Sequence, residues 1–384
     1  MRRESLFGTL LAVFSVAVAA YGQGGDPCAA ASKSLAAHEL EAARAGYENC
    51  LKESPPTAER LSNLGMAYAG LNEFDRAIPI YRQALALDPN NATLHMNLGL
   101  ALLKTGIVKD AAKEFSLSLL ADADSLKALE LLAFSHLQMN EIELAAAESE
   151  RVHLAQPDDD SASLILGTCY LRLDRYKAAI PLLYFSMLKA NVPQTHMLLG
   201  EAFLGVKAYS NALREFQTVE QSSPNQPGLD NDLGTAYAGL GQPDKAVAEF
   251  EKQLAADPND FEANYYMGRL KRLGNDADAA KQYLAMAEKA RPGEPSVAYE
   301  YAVFAMQDKD YAKAESLLRK ILDQVPNYTD AHVLLAEVDY KLHKPDDARR
   351  ERAIVLELSK IAQEEENAGG KPPAPAAAPQ PGGP

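Results

Sequence analysis

The chain has 384 residues, of which 53 are acidic and 38 basic, so its net charge at pH 7 is −15. This negative charge argues against a nucleic-acid-binding protein, because nothing offsets repulsion from the phosphates. Apolar residues make up 47% of the sequence, which is enough for a hydrophobic core and argues against a disordered chain.

The N-terminal segment has the three parts of a secretory signal peptide. Arg2 and Arg3 precede an uncharged apolar run over residues 6–20, and Ala17 and Ala19 form an Ala-x-Ala step. The run is shorter than the roughly 20 residues that a membrane-spanning helix needs. We therefore expect residues 1–22 to be a signal peptide and the protein to be exported, either periplasmic or secreted, with no membrane span after signal removal. An uncleaved N-terminal anchor is the alternative.

Over residues 24–361, small residues recur in two columns with a period of 34 residues. The first, the alanine column, has ten members, and only the interval from Ala179 to Ala212 departs from 34 residues, by one. Twelve residues before each alanine stands a glycine or another alanine, which defines the Gly/Ala column. This regularity predicts a tandem array of ten units. The alanine column comprises Ala43, Ala77, Ala111, Ala145, Ala179, Ala212, Ala246, Ala280, Ala314 and Ala348.

Each unit is predicted to form two antiparallel helices. Apolar residues recur at helical spacing over residues 61–68, a break follows at 70–72, and a second helix is expected over 75–87. Asp88-Pro89 ends it, because proline disfavours helix at the residue before it. Four residues after the alanine, most units carry an aromatic residue or leucine, the bulky column. We expect the two small columns to meet each other, with the bulky column packing between adjoining pairs.

The C-terminal segment has a different composition. Residues 362–384 are first acidic and then rich in proline, alanine and glycine. Such a segment lacks the large apolar side chains that would offset the entropy lost on ordering. We therefore predict a disordered tail.

The order of residues within a unit resembles the tetratricopeptide repeat (TPR), as in Gly234, Tyr237, Ala246, Phe250 and Pro258. The resemblance covers about residues 24–361. It implies an all-α fold, an α-solenoid of about ten TPR helix–turn–helix units that forms a right-handed superhelix. It also implies that the first helices line a concave groove where a protein or peptide binds.

No pattern of catalytic residues is found. His95, His196 and His332 occupy one repeat position, four residues before the Gly/Ala column, so they are separated by whole units rather than clustered. A metal site needs ligands that converge in space. We therefore interpret these histidines as structural, and we expect no enzyme activity, no catalytic residue, no metal and no cofactor.

Two of the three cysteines lie in the first unit. Cys28 and Cys50 stand at positions that face each other on antiparallel helices, at the open end of the hairpin. Export would bring them into an oxidising compartment, where a disulfide persists. We propose a Cys28–Cys50 disulfide that stabilises this weakly conforming unit, and we expect Cys169 to pack without a partner.

Groove residues should lie three residues before, one after and four after the Gly/Ala column, because that spacing puts them on one helical face. These positions are rich in methionine, leucine and tyrosine, which suit recognition of an apolar or extended segment. The alternative is that they pack against adjacent first helices. The predicted partner-binding residues are Met66, Met96, Leu100, Phe134, Leu137, Leu164, Met197, Asn231, Tyr265, Arg269, Tyr299 and Tyr340.

Two functions fit this sequence. The first is a protein–protein interaction scaffold or adaptor of the cell envelope that binds a polypeptide segment in the concave groove. The alternative is a structural spacer or accessory in polysaccharide export or envelope assembly. The partner's identity and the oligomeric state stay open at this stage.

Overall fold

A computed structural model describes residues 28–367, and these residues form twenty α-helices and no strand. The all-α prediction is therefore confirmed for this part of the chain. The helices are α1 (Ala29–Ala36), α2 (Leu40–Glu53), α3 (Ala58–Gly70), α4 (Phe74–Leu87), α5 (Ala92–Lys104), α6 (Val108–Ala121), α7 (Leu126–Gln138), α8 (Ile142–Ala155), α9 (Asp160–Arg172), α10 (Tyr176–Lys189), α11 (Pro193–Gly205), α12 (Tyr209–Ser222), α13 (Leu229–Gly239), α14 (Pro243–Ala256), α15 (Phe261–Leu273), α16 (Ala277–Ala290), α17 (Pro295–Gln307), α18 (Tyr311–Gln324), α19 (Thr329–Lys341) and α20 (Pro345–Asn367).

The helices form ten consecutive pairs, which agrees with the ten predicted units. The predicted signal peptide, residues 1–22, lies outside the described residues, as do residues 368–384 of the predicted tail. Residues 362–367, which were assigned to the tail, instead continue the last helix.

The chain divides into two compact units. Unit 1 contains residues 28–175 and 179–195, and unit 2 contains residues 176–178 and 196–367. Within each unit, the second helix of a pair packs on its own first helix and on the first helix of the next pair. This packing in chain order is that of a helical repeat array, in which each pair buries its apolar face against its neighbours.

The alanine column lies at the centre of this packing. Nine of its ten members have no exposed surface, and the tenth, Ala348, is 3% exposed. A larger side chain at these positions would have no space, because helix interfaces are packed as densely as organic crystals. The alanine column therefore sets how closely the helices approach.

The glycines of the Gly/Ala column make room for the bulky residue of their own pair. A Cβ atom added to Gly167 would lie 2.9 Å from Cδ2 of Leu183, and the other five glycines of the column would meet Tyr81, Phe115, Phe216, Phe250 or Leu284 in the same way. The bulky residues therefore pack against the glycines of their own pair, and at Gly268 the alanine column is close as well, since Ala280 O would lie 3.4 Å from the added Cβ atom. The reason is geometric: the side chain that reaches across to the glycine starts one helical turn beyond the alanine.

The turn inside each pair contains a residue in the left-handed region of backbone conformation. In all ten described pairs it stands seven residues after the Gly/Ala column, with φ between 57° and 79°. In the turn between α3 and α4, Asn72 N donates to Ala69 O at 3.0 Å and Glu73 N donates to Tyr68 O at 2.9 Å. These bonds satisfy carbonyl groups at the end of the first helix, as in other left-handed helix caps. The repeated cap fixes where each second helix begins.

Candidate functional site

The predicted groove residues differ in how much surface they keep. Four are half-buried, namely Met96, Tyr265, Arg269 and Tyr299, and one, Tyr340, is 62% exposed. The other seven are buried among the helices, as the packing alternative expected: Met66, Leu100, Phe134, Leu137, Leu164, Met197 and Asn231.

In unit 1, nearly all of the predicted groove residues take part in the core. Met66, Leu100, Phe134 and Leu137 belong to one hydrophobic cluster, and Met96 packs against its edge. The side chain of Phe134 is 1% exposed. These residues stabilise the packing of successive first helices, and little of their surface is free for a partner.

In unit 2, three of the predicted groove residues, Tyr265, Arg269 and Tyr299, lie around a buried ion pair. Helix α15 presents Tyr265, Arg269 and Arg272 at helical spacing, so they share one face. On α17, the Glu300 carboxylate accepts a hydrogen bond from Arg272 Nε at 2.6 Å. Arg269 Nε lies 3.2 Å from the other oxygen of Glu300. One carboxylate, only 2% exposed, is thus shared between two guanidinium groups.

Four tyrosines surround these charges. The guanidinium carbon of Arg269 lies 5.8 Å from the ring centre of Tyr265 and 6.0 Å from that of Tyr266, within the range of a cation–π interaction. Tyr299, which precedes Glu300, lies 5.6 Å from the ring of Tyr328, measured between ring centres. We call this group the Tyr–Arg cluster; it consists of Tyr265, Tyr266, Arg269, Arg272, Tyr299, Glu300 and Tyr328.

The tyrosines of the cluster are neutral hydrogen-bonding groups over the physiological pH range. Burial raises the pKa of Tyr328 to about 12, and it also raises the pKa of Tyr265 and of Tyr299 above the usual value for a phenol. For Tyr265 the effect of burial outweighs the opposite effect of the Arg269 charge. The hydroxyl groups therefore remain able to donate hydrogen bonds.

Sequence reasoning missed Glu300, Tyr266 and Tyr328. Glu300 lies two residues before the Gly/Ala column, next to a predicted groove position but outside the three that were considered. A signal was available, because Arg269 and Arg272 put two cations on one face of α15 and a partly buried cation needs a counter-ion. Tyr328 precedes the first helix of the following pair, so periodicity within a helix could not place it.

Asn231 makes a hydrogen bond between two successive first helices. Its amide nitrogen donates to Asp260 Oδ1 at 3.0 Å, and the same oxygen accepts from Ala263 N at 2.9 Å. Asp260 is the N-cap of α15, so Asn231 connects one first helix to the start of the next.

The three histidines at this repeat position each connect the two helices of their own pair. In α5, His95 Nδ1 lies 2.6 Å from Glu114 Oε2 and Nε2 lies 2.9 Å from Pro89 O. His332 has the same arrangement, with Pro326 O at 2.8 Å from Nε2. In each case the carboxylate partner stands nineteen residues after the histidine. It is Glu114 for His95, Glu215 for His196 and Glu351 for His332. These contacts join both helices of a pair to the turn before it, which is a structural role.

The first pair contains a disulfide between Cys28 and Cys50, whose Cα atoms are 5.4 Å apart. It joins the start of α1 to the end of α2. Cys169 is a free, buried cysteine, and burial raises its thiol pKa to about 12. Because the thiolate is the reactive form, this raised pKa disfavours reaction at Cys169 in the folded chain.

The described residues contain neither a metal-binding cluster nor a membrane-spanning helix. Over residues 28–367 no group of three or more His, Cys, Asp or Glu side chains is arranged to hold a metal ion. Within the same residues, no helix combines the length and the apolar character needed to span a bilayer.

Comparison with known sequences identifies the repeat. Two sequence models of one family, both described as tetratricopeptide repeat, match the chain over residues 62–126 and 131–194, and over 203–263, 238–302 and 305–362. These ranges cover well over half of the chain.

The individual relatives are distant. The chain is 27% identical over 214 residues to Superkiller protein 3 of Schizosaccharomyces pombe, a match that covers 56% of this chain and 14% of that protein. It is 26% identical over 232 residues to the BBSome complex member BBS4 of Bos taurus, covering 59% of this chain and 44% of the relative. The chain thus spans less than half the length of either protein. A solved tetratricopeptide repeat protein from Parabacteroides merdae superposes with a TM-score of 0.45 at 17% identity, covering 62% of this chain and 95% of that one.

Proposed function

Since the chain belongs to the tetratricopeptide repeat family and is therefore a protein–protein interaction scaffold, we propose that it holds a polypeptide segment on the Tyr–Arg cluster of unit 2. We propose further that it does so in the cell envelope. Such repeats are typically non-catalytic, and we assign the chain no catalytic activity.

The observation that carries the proposal is the composition and exposure of the Tyr–Arg cluster. Tyrosine and arginine are over-represented among the residues that dominate binding energy at protein interfaces. Tyr265, Arg269 and Tyr299 are half-buried, so each is held in place by its neighbours while keeping surface for contact. A rigid aromatic ring loses little conformational entropy on binding, which favours tight contact.

The two units differ in how much the predicted groove residues are exposed. In unit 1 the equivalent positions on the first helices carry methionine, leucine and phenylalanine that are mostly packed into the core. We therefore place the recognition of the partner in unit 2 and assign to the first helices of unit 1 a role in the stability of the array.

Two features support a location outside the cytoplasm. The sequence of residues 1–22 has the parts of a signal peptide. The Cys28–Cys50 disulfide is of the kind that persists in oxidising compartments and is rare in the cytosol. Alkylation of protein taken directly from cells, followed by mass spectrometry, tests this: both thiols should resist alkylation until reductant is added. Free thiols in the native protein would argue for a reducing compartment.

Site-specific photocrosslinking tests the binding site. A photoreactive amino acid at Tyr299 should trap a defined polypeptide in an envelope extract. The same amino acid at Tyr184, a 47% exposed tyrosine of unit 1, is the matched control and should not trap it. Identical crosslinking patterns at both positions would contradict the proposal. A glycan that binds the wild type and is lost with Tyr265→Ala and Tyr299→Ala, with no polypeptide trapped, would favour the polysaccharide accessory instead.

A further inference from the structure

We propose that Arg269 is a recognition point for a carboxylate group of the bound polypeptide. This inference rests on the proposed function of the Tyr–Arg cluster and specifies the chemistry of its partner. The carboxylate is either the free C-terminus of the partner or the side chain of an aspartate or glutamate within it.

The first argument is the difference between the two arginines that share Glu300. Arg272 donates a hydrogen bond to Glu300 and its side chain is 14% exposed, so its charge is neutralised inside the protein. The side chain of Arg269 is 42% exposed. Its Nε is buried and has no hydrogen-bond partner, although Glu300 is 3.2 Å away. No group among the described residues accepts a hydrogen bond from the Arg269 guanidinium.

The second argument is the local charge. The single carboxylate of Glu300 lies between the two guanidinium groups of Arg269 and Arg272, so this ion pair by itself has an excess of positive charge. Glu300 acts electrostatically on Arg269, and Asp330 acts on Tyr299 and Tyr328. The chain as a whole has a net charge of −15 and repels anions at long range. The attraction of Arg269 for an anionic group therefore acts only at short range.

The third argument is orientation. The Arg269 guanidinium lies over the rings of Tyr265 and Tyr266, and Glu300 lies beside its Nε. An arginine held in this way loses less conformational freedom on binding than one on an open surface. A guanidinium presents paired N–H donors that match a carboxylate in a bidentate geometry. Tyr299 and Tyr328 interact electrostatically with Arg269 and pack ring against ring, so they offer aromatic surface in the same cluster to the residue that carries the carboxylate.

Peptide binding tests the inference. Peptides selected against the full chain from a random library with free C-termini would be synthesised in three forms: unchanged, with an amidated C-terminus, and with internal aspartate and glutamate replaced by asparagine and glutamine. Fluorescence polarisation gives the affinity of each form for the wild type, for Arg269→Gln and for Arg291→Gln. Arg291 is the matched control, since it also lies over an aromatic ring of α15, Phe261, at 4.2 Å.

The expected result is a tenfold to hundredfold loss of affinity with Arg269→Gln, about the size of a hydrogen bond to a charged group. The loss should occur only for the carboxylate-bearing form, and Arg291→Gln should change affinity by less than about threefold. Loss on amidation identifies the terminal carboxylate as the ligand, and loss on replacing internal acidic residues identifies a side chain.

Two results would overturn the inference. In the first, wild type binds neutral and carboxylate-bearing forms equally and Tyr299→Ala abolishes both, so the proposed function stands and only the carboxylate assignment fails. In the second, no selected peptide loses affinity with Tyr299→Ala, so the binding site lies elsewhere and the proposed function fails as well.

Discussion

The ring of Phe250 occupies the space that a side chain on Gly234 would need. A Cβ atom added to Gly234 would lie 2.6 Å from Cε1 of Phe250, well inside the normal contact distance. The two residues lie sixteen apart in one pair, on α13 and α14, and Phe250 is fully buried. Glycine at this position is therefore a packing requirement of the pair.

Gly234→Ala should destabilise the array. Alanine improves helix propensity by about 1 kcal/mol over glycine, but overpacking a dense interface costs about 1–3 kcal/mol. We expect the second effect to be larger, which lowers the free energy of unfolding by about 1 kcal/mol or more. Urea denaturation followed by circular dichroism measures the change.

Two further variants test the cause. Gly274→Ala is the control, because its new Cβ would have no contact closer than 3.4 Å. Phe250→Leu should partly relieve the clash, since Ala302 and Leu318 already occupy the equivalent positions in another pair. The double variant should therefore cost less than the sum of the single changes. A gain in stability from Gly234→Ala alone would contradict the packing explanation.

The sequence predicts the pairs well because small residues leave a signal that depends on position alone. A large residue in place of Ala246 would keep the two helices of its pair from packing closely. Alanine therefore recurs at this position, and the column can be recognised in the sequence alone. The contact made by Gly234 is less accessible to prediction. It depends on how far the Phe250 ring extends from its helix, and periodicity contains no information on that distance.

The candidate site was predictable only in part, for a related reason. Tyr265, Arg269 and Tyr299 were predicted as groove residues, and the structure shows all three half-buried. Phe134 was predicted as a groove residue too, but it is buried, because the exposure of a groove position depends on the side chains of the neighbouring first helix. Glu300 contributes the buried negative charge of the cluster. Its role follows from the contacts of α17 with α15, which place its carboxylate beside Arg269 and Arg272.

A second prediction concerns the left-handed turn residue Lys309, at φ 60°. A side chain in this conformation costs roughly 1–2 kcal/mol, which glycine avoids while losing more chain entropy on folding. We expect Lys309→Gly to raise the free energy of unfolding by up to about 1 kcal/mol. Asp308→Gly, one residue earlier at φ −73°, should give no gain. Equal effects at both positions in a thermal melt would show that the left-handed turn is not the cause.

A third prediction concerns pH. His136 Nδ1 lies 2.7 Å from Glu148 Oε2, and this hydrogen bond raises the pKa of His136 above 6.5 despite the opposing effect of burial. A histidine whose pKa is raised by folding binds its proton more tightly in the folded state. Its contribution to stability is therefore complete below pH 6.5 and is lost as the pH rises through the higher, folded-state pKa.

The measurement is the difference in urea midpoint between wild type and His136→Gln from pH 6 to pH 9. We expect this difference to shrink as the pH rises. In a Glu148→Gln background the same substitution should show a weaker dependence on pH, because only the more distant Glu141 carboxylate, 3.6 Å from His136 Nε2, then raises the pKa of the histidine. A difference that stays constant across the range would contradict the role of this ion pair.

A fourth prediction concerns the first pair. The Cys28–Cys50 disulfide closes a loop with a sequence separation of 22 residues. In the chain-entropy model such a loop contributes roughly 3 kcal/mol. Hydrogen exchange should therefore become faster in α1 and α2 when reductant is added, while α7 keeps its protection. The variant with Cys28→Ser and Cys50→Ser should exchange quickly with or without reductant. Unchanged protection of α1 after reduction would show that stacking alone holds the first pair.

The last prediction concerns the ion pair beneath the candidate site. Removing one partner of a buried ion pair costs about 3–5 kcal/mol, because the other charge is left without compensation. Glu300→Leu leaves both Arg269 and Arg272 without their carboxylate, whereas Arg272→Met still leaves Glu300 with Arg269 nearby. We therefore expect Glu300→Leu to destabilise unit 2 more than Arg272→Met does. Since water reaches Arg269, the loss should fall toward the lower end of that range.

A double-mutant cycle measured by urea unfolding separates charge from packing. The variant with both Arg272→Met and Glu300→Leu should be more stable than Glu300→Leu alone, because it removes the buried cation together with the carboxylate. Arg291→Met, which removes an exposed cation from unit 2, should stay within about 0.5 kcal/mol of wild type. Strictly additive effects of the two substitutions would mean that Arg272 and Glu300 do not interact energetically, and Glu300 could then not be what holds the arginines in position for a partner.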